Sequence, residues 1–232
     1  MDLLWQGIWQ ALELMLKLDP EVVEITLLSL RLSGLATLIS LLIGIPLGTL
    51  LALYRFPGRN LMLSLVNTGM GLPPVVVGLL LSILLWRSGP LGDLQWIYTP
   101  TAIVLAQIVL ATPVITGLTS SALQQLDPRL RLQLIGLGAS RLQTIGMLWL
   151  EARMPILAAL MAGFGSVISE VGASMMVGGN LRHSTRILTT AIVSETSRGN
   201  FALAIAMGFI LLILTFLINW TLTWIQQRDR RA

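Results

Sequence analysis

From Ile25 to Leu53 the chain runs for 29 residues with Arg31 as its only charged side chain. About 20 apolar residues are enough to cross the hydrocarbon core of a bilayer. A stretch this long reads as a membrane-crossing helix that tilts to absorb its excess length. Comparable stretches follow at about 61–86, 101–118, 154–177 and 201–225. The expectation is therefore an all-α membrane protein with five transmembrane helices in one domain, residues 25–225. An amphipathic interfacial segment, 1–24, precedes it and a basic cytoplasmic tail, 226–232, follows. Composition agrees: 55% of the residues are hydrophobic and 11% charged, a balance that ordinary soluble domains do not show. There is no cysteine, which excludes disulfide frameworks, thiolate metal sites and cysteine nucleophiles.

Residues 1–18 place Trp5, Ile8, Trp9, Leu12 and Met15 at helical spacing, as an interfacial helix lying on the membrane or as a short additional span. No basic region or small-residue cleavage site marks a signal peptide at the start. Asp19 and Pro20 have the chemistry of an N-cap and a first helical position, and Glu21 and Glu24 fall where the helix dipole favours acids. Gly44 and Gly48 stand at the small-xxx-small spacing that lets another helix backbone approach, and Pro46 introduces a kink. Gly69, Gly71, Pro73, Pro74 and Gly78 interrupt the second span. A helix broken at membrane depth must be buried in protein or line a watery cavity. The third span carries Pro113 with polar Gln107, Thr112 and Thr116.

Arginine sets the orientation. If residues 54–60, 126–153 and the tail share one side, that side holds Arg55, Arg59, Arg129, Arg131, Arg141, Arg153, Arg228, Arg230 and Arg231. Lys17, Arg87, Arg182, Arg186 and Arg198 lie on the other. The positive-inside rule then places the N-terminus outside and the C-terminus in the cytoplasm. The basic charge thus reads as topology, and nothing in it points to nucleic acid.

Between the third and fourth spans, residues 126–153 are a structured elbow. Asp127-Pro128 repeats the helix-start chemistry of Asp19-Pro20. Leu130, Leu132, Leu134, Ile135 and Leu137 then give a short amphipathic helix with Arg129, Arg131 and Gln133 on its other faces. Gly136 or Gly138 stops it. Ser140 and Gln143 form the capping box of a second helix carrying Leu142, Ile145, Met147, Leu148 and Leu150, and Pro155 opens the next span. Such an elbow presents an apolar face either to a groove in a partner or to the lipid headgroups.

Four further stretches, LPPVVVG at 72–78, GLGASRLQTI at 136–145, GFGSVISEVGASMMVGGN at 163–180 and TRILTTAIVSET at 185–196, carry a family resemblance together with the elbow. The chain resembles the permeases of type I ABC importers, in particular those for tungstate and their molybdate and sulfate relatives, over about residues 25–222. Aligned on Gly138, the family's Glu-Ala-Ala coupling motif falls on Leu132, Gln133 and Leu134, and its proline on Glu151, so this copy departs from the pattern. The resemblance implies a homodimer of permease chains in the bacterial inner membrane, cytoplasmic ATP-binding subunits and an extracytoplasmic substrate-binding protein. No phosphate-binding GxxxxGK[ST] loop occurs, so ATP and Mg would be held by the partner ATPase, with no cofactor on this chain. Asp127, Arg129, Arg131, Gln133, Leu134 and Gly138 would then couple to the ATPase.

Single residues in the spans carry narrower expectations. Glu170 is an intramembrane acid, and Arg31, at similar depth, is its candidate partner in a structural or gating pair. Ser169, Ser174, Asn180, Thr185, Thr189 and Thr190 offer hydroxyl and amide groups suited to an oxyanion in transit. Together with Glu170 and Arg31 they are the candidates for the translocation path or gate. Glycines 172, 178 and 179 read as close packing and a tight turn. Arg182 and Arg186 attract the anion, seat the binding protein or are solvated loop charges. His183, the single histidine, forms no metal site by itself, and the methionines read as packing. A stand-alone channel or secondary carrier would need the broken helices but not the elbow. An intramembrane enzyme finds serines here without a base beside them.

Overall fold

The computed structural model describes residues 5, 7–9, 12, 13, 17 and 19–228, and the described secondary structure is helical throughout. Helix α1 (Pro20–Leu53) begins where the sequence says it should. The Asp19 carboxylate accepts hydrogen bonds from the backbone N–H groups of Glu21 and Val22, both at 3.1 Å, and Pro20 needs no partner for its nitrogen. Its 34 residues continue through Pro46 and rise about 51 Å, more than a bilayer core is thick. The orphan carbonyls at its far end find two guanidinium groups. Arg59 donates to the Leu51 carbonyl at 2.7 Å and Arg131 to that of Leu53 at 2.9 Å, where a cation also complements the helix dipole.

The second apolar stretch is two half-helices, α2 (Arg59–Met70) and α3 (Pro74–Leu85), meeting at 103°. Pro74 has no N–H to continue α2 and disfavours helical backbone at Pro73, which is extended. The Pro-Pro pair therefore makes a corner rather than a kink. Helix α4 (Pro100–Gln124) runs past the expected end at 118 with Pro113 inside it. The elbow supplies α5 (Pro128–Gly136) and α6 (Arg141–Glu151), and α7 (Arg153–Ile168) leaves α6 at 72°. The fourth stretch, expected as one span over 154–177, stops at Ile168. A three-residue break separates it from the short α8 (Gly172–Gly178). Helices α9 (Leu188–Ser197) and α10 (Phe201–Arg228) complete the described residues.

Among the described residues, three helices are individually long and apolar enough to cross a membrane: α1, α4 and α10. The number rises to five if the bent pairs α2–α3 and α6–α7 each count as one span. Helix α4 is the hub, packing against α1, α2, α3, α7 and α8. Its contact with α1 is the widest, and glycine makes it possible. A Cβ on Gly48 would lie 2.7 Å from the Thr116 carbonyl oxygen and 3.1 Å from the Ser120 nitrogen, and one on Gly44 would lie 2.8 Å from the Ile115 side chain. The main core gathers Leu32, Ala36, Val77, Leu81, Leu85, Ile103, Leu110 and Val177 around α4. Near the N-terminus Gly7 is buried against Ile205 of α10, while Trp5 and Trp9 are 62% and 68% exposed. Leu12 is 45% exposed; residues 1–4, 6, 10, 11, 14–16 and 18 of the expected interfacial stretch, and residues 229–232 of the basic tail, lie outside the described residues.

The backbone approach at Gly48 makes a direct prediction. Gly48→Leu must push α1 and α4 apart, and overpacking of this kind costs about 1–3 kcal/mol or more. The detergent-solubilised variant should show a clearly lowered thermal unfolding midpoint. Gly34→Leu on the same helix, where an added Cβ meets nothing within 4 Å, should leave the midpoint near that of the parent.

Candidate functional site

Two regions carry the candidate residues, at opposite ends of α1. The first is the elbow. Asp127 caps α5 by accepting from the Arg129 N–H at 2.8 Å. The helix ends in a Schellman-type turn, in which the Ala139 N–H bonds the Leu134 carbonyl and the Gly138 N–H bonds that of Ile135, both at 3.0 Å. Gly138 has φ +84°, which decides between the two candidate stop glycines. The capping box forms: Gln143 N–H donates to the Ser140 hydroxyl at 3.3 Å, and Ser140 N–H donates to the Gln143 side chain at 2.8 Å. Leu130 and Leu134 pack with Leu126, Leu148, Ala152 and Ile156 against Ala52 and Leu53 of α1. Trp149 Nε1 donates to the Thr49 hydroxyl at 2.8 Å. The elbow is thus a small folded unit bolted to the end of α1.

This geometry divides the coupling candidates. Arg131 turns inward: beyond its bond to Leu53, its guanidinium lies 5.8 Å from the centre of the Tyr54 ring. Leu134 is half-buried in the elbow's core. Arg129, Gln133 and Gly138 are exposed. Beside them lie Leu132, Ile135, Leu137 and Leu142, exposed at 68%, 53%, 85% and 83%. These large apolar side chains leave the elbow with an exposed apolar surface.

The second region runs from the α7–α8 break to α9. Glu170 sits in that break and not on a helix begun at Met154, as expected. It is 6% exposed, and its Oε1 accepts from the Ala173 N–H at 2.8 Å. The expected pair with Arg31 does not form, because Arg31 points outward from α1 and Glu170 turns to the first turn of α8. Val75, in the first turn of α3, packs on Gly172, and a Cβ on Gly78 would come within 2.8 Å of Ala173 Cα. The two chain breaks therefore lie side by side. Thr189 of α9 donates to the Glu170 carbonyl at 2.8 Å, and Thr185 donates to the Gly178 carbonyl at 2.5 Å while accepting from Leu181 N–H. Thr190 closes the N-terminal turn of α9 with the Ile187 N–H and carbonyl. Ser169 is exposed and donates to the Gly165 carbonyl. The Ser174 hydroxyl and the Asn180 side-chain oxygen are buried without a hydrogen-bond partner among the described residues.

Sequence reasoning missed the strongest electrostatic feature. Arg186, read as a loop charge, is 3% exposed and donates to Glu195 Oε1 at 2.6 Å; Glu195 is itself buried. Arg198 reaches the same oxygen at 3.0 Å, and the Asn200 amide donates to Oε2 at 2.8 Å. The Asn200 amide, followed by the two guanidinium groups, holds the Glu195 carboxyl below the usual carboxylate range against the upward push of burial. Arg186 and Arg182 also lie 3.6 Å from Glu21, and His183 Nδ1 is 2.8 Å from Glu24. The start of α1 is therefore laced to the 181–187 loop. Only the Glu195–Arg198 spacing was legible locally; the Arg186 partner comes from a turn between separate elements.

A profile of the binding-protein-dependent transport system inner membrane component family matches residues 44–231. The chain belongs to that family. It is a multi-pass permease of the inner membrane type. It is 37% identical to the tungstate uptake system permease protein of Peptoclostridium acidaminophilum, over 98% of this chain and 100% of that one. It is 40% identical to a probable anion ABC transporter permease protein of Haloferax volcanii, over 85% and 88% of the two chains. Among solved structures, the inward-facing MetNI methionine ABC transporter matches with a TM-score of 0.74 at 20% identity, covering 90% of this chain and 98% of that one. That likeness bears on the fold, which is of the type I ABC importer permease kind.

The buried charge cluster makes a two-part prediction. Arg186→Ala leaves Glu195 short of its closest cation, and breaking a buried pair this way costs about 3–5 kcal/mol. Joint replacement by Arg186→Met and Glu195→Leu should recover most of the loss in a denaturant or thermal unfolding series. Because the folded-state carboxyl is depressed, the contribution of Glu195 is fully present at neutral pH. It falls away only as the pH drops below the ordinary carboxylate range.

Proposed function

We propose that this permease forms the translocation path of an ATP-driven importer for tungstate or a closely related oxyanion. It would act as a homodimer with cytoplasmic ATP-binding subunits and an extracytoplasmic substrate-binding protein. ATP and Mg are held by the partner ATPase and this chain performs no hydrolysis. The observation that carries the reading is the 37% identity running the full length of a tungstate uptake permease. The relative at 40% identity, named as a probable anion permease, supports the same substrate class. In this reading each subunit makes five crossings, with the N-terminus outside and the elbow and C-terminus in the cytoplasm, as the arginine distribution favours.

The elbow then docks in a cleft of the ATPase through Leu132, Ile135, Leu137 and Leu142, with Arg129 and Gln133 at the rim. Arg131 and Leu134 act from inside the elbow, where they hold it to α1. Closure of the nucleotide sites moves the docked elbow, and the Arg131–Leu53 and Trp149–Thr49 bonds pass that displacement to α1. ATP thereby biases inward-open against outward-open states, which is alternating access by population shift. The anion passes near the paired breaks of α2–α3 and α7–α8, where half-helix ends and unfilled hydrogen-bonding atoms such as the Ser174 hydroxyl are available. Most of the other hydroxyls on that wall are committed to internal bonds. Contact with the anion is accordingly weak, as transit requires.

Deleting this gene in its own host should reduce tungstate uptake to background, with molybdate and sulfate uptake affected less, and a plasmid copy should restore it. Uptake of all three anions at parental rates would overturn the assignment. A second measurement isolates the elbow. Leu137→Asp with Leu142→Asp alters only exposed side chains, so folding should be retained within about 0.5 kcal/mol. Losing apolar anchors from an interface costs about 2 kcal/mol or more, so the ATPase should no longer co-purify. Undiminished co-purification and transport would remove the docking role from this face.

A further inference from the structure

Where the 181–187 loop crosses the start of α1, one carboxylate oxygen stands between two guanidinium groups. Glu21 Oε1 is 3.6 Å from Arg182 Nε and 3.6 Å from Arg186 Nη1. Both separations are longer than a hydrogen bond, and the Glu21 side chain is 41% exposed. The carboxylate is therefore a loose occupant of a well-built place. Arg186 is 3% exposed and locked to Glu195 Oε1 at 2.6 Å. Its loop is closed by the Thr185 and Arg186 N–H groups, both on the Leu181 carbonyl at 3.0 Å, and by the Thr185 hydroxyl on the Gly178 carbonyl. The Arg186 Nε–H is buried and has no hydrogen-bond partner among the described residues. A buried donor left unpaired is costly, so this guanidinium has a bond still to make.

We infer that Arg182 and Arg186 form an entry site for a tetrahedral oxyanion dianion, and that Glu21 is an internal placeholder which the anion displaces. Guanidinium groups match oxyanions through paired N–H donors. Glu21 offers one oxygen to both arginines, whereas a tetrahedral anion presents oxygens on every side and can engage each of them directly. Charge agrees with a dianion. With Glu21 turned to solvent, Arg182, Arg186 and Arg198 outweigh Glu195 by two charges, and Glu24 stays with His183. Competition from Glu21 keeps the site weak, which lets the anion leave again. The site rests on the reading of this chain as an oxyanion permease, and it lies at the end of α1 that the arginine distribution puts outside.

Glu21→Gln and Arg182→Gln separate an entry site from a plain latch between loop and helix. The full-length chain in detergent is titrated with sodium tungstate at mildly alkaline pH and constant ionic strength, and the thermal unfolding midpoint is followed. Tungstate should raise the midpoint of the parent. Glu21→Gln removes the competitor and should lower the half-saturating concentration about threefold, while Arg182→Gln should raise it about threefold, the weight of one part-exposed ion pair. A latch gives a different pattern: both substitutions lower the midpoint without anion and leave the anion response unchanged. That pattern overturns the site, as do shifts of the same sign in the two variants, or a parent that responds to none of tungstate, molybdate and sulfate. A response to molybdate or sulfate but not to tungstate keeps the site and overturns the choice of tungstate. A tungstate response in a chain whose deletion leaves uptake untouched keeps the site and overturns the transport reading alone.

Discussion

A peptide group freed from its helix inside a membrane must find a partner in protein or in trapped water, because hydrocarbon offers none and each unpaired group costs several kcal/mol. This chain breaks its apolar segments twice and meets that demand by putting the breaks together. The corner at Pro73-Pro74 and the gap between Ile168 and Gly172 are neighbours, with Val75 against Gly172 and Gly78 against Ala173. Glu170 caps the buried start of α8 from within the gap, and Thr189 donates to its carbonyl. The Glu170 side chain is occupied by the Ala173 N–H, and Arg31 lies at the surface of α1. The acid that looked like half of an ion pair is the fastening of a broken helix.

At the other end of α1 the same need for partners is met by arginine. The last carbonyls of a helix carry partial negative charge, and Arg59 and Arg131 reach two of them from different directions. One comes from the next helix and one from a residue 78 positions further on. The second tie is what makes the elbow part of the bundle. With Trp149 bound to Thr49 and the leucine cluster beneath, a push on the elbow's outer face cannot be absorbed by a slack linker. The degenerate Leu132-Gln133-Leu134 sequence fits this division of labour, since Leu134 looks into the elbow's core while Leu132 looks out.

Features written in short sequence spacings were legible before any coordinates. Asp19-Pro20, Asp127-Pro128 and the Ser140–Gln143 box all cap helices as their local chemistry dictates, and Gly44 and Gly48 do admit α4. The depth of the break at Pro73-Pro74 and the end of α7 at Ile168 were harder. Apolar residues continue through both, and hydropathy reports environment without reporting direction. Glu195 and Arg186 were missed for another reason. Their pairing depends on how the 181–187 loop folds back over α9, with left-handed backbone at Gly179, Asn180 and His183, and no periodicity encodes that. Arg131 was placed on the correct helix and the wrong face, because its face is chosen by the end of α1, a partner distant in sequence.

These contacts also differ in what they permit. The α1–α4 seam is dispersion over a wide area with close backbone approach at Gly48, supplemented by long bonds from Gln107 to Ser33 and from Thr112 to Ser40, and interiors packed so closely shift as a unit rather than deform. The α8 to α9 region is held by single hydrogen bonds through Thr185, Thr189 and Glu170, each worth on the order of 1 kcal/mol net. Movement between two arrangements is therefore cheaper there than between α1 and α4. Under the proposed transport cycle, the rigid unit comprises α1, α4 and the elbow, and the pliant one comprises the broken segments around Glu170. The buried Arg186–Glu195 cluster lies just beyond the pliant segment and ties it to the start of α1 through Glu21. A force applied at the elbow end of α1 thus arrives, along a helix of about 51 Å, at the charged anchor beside the part of the path that can move.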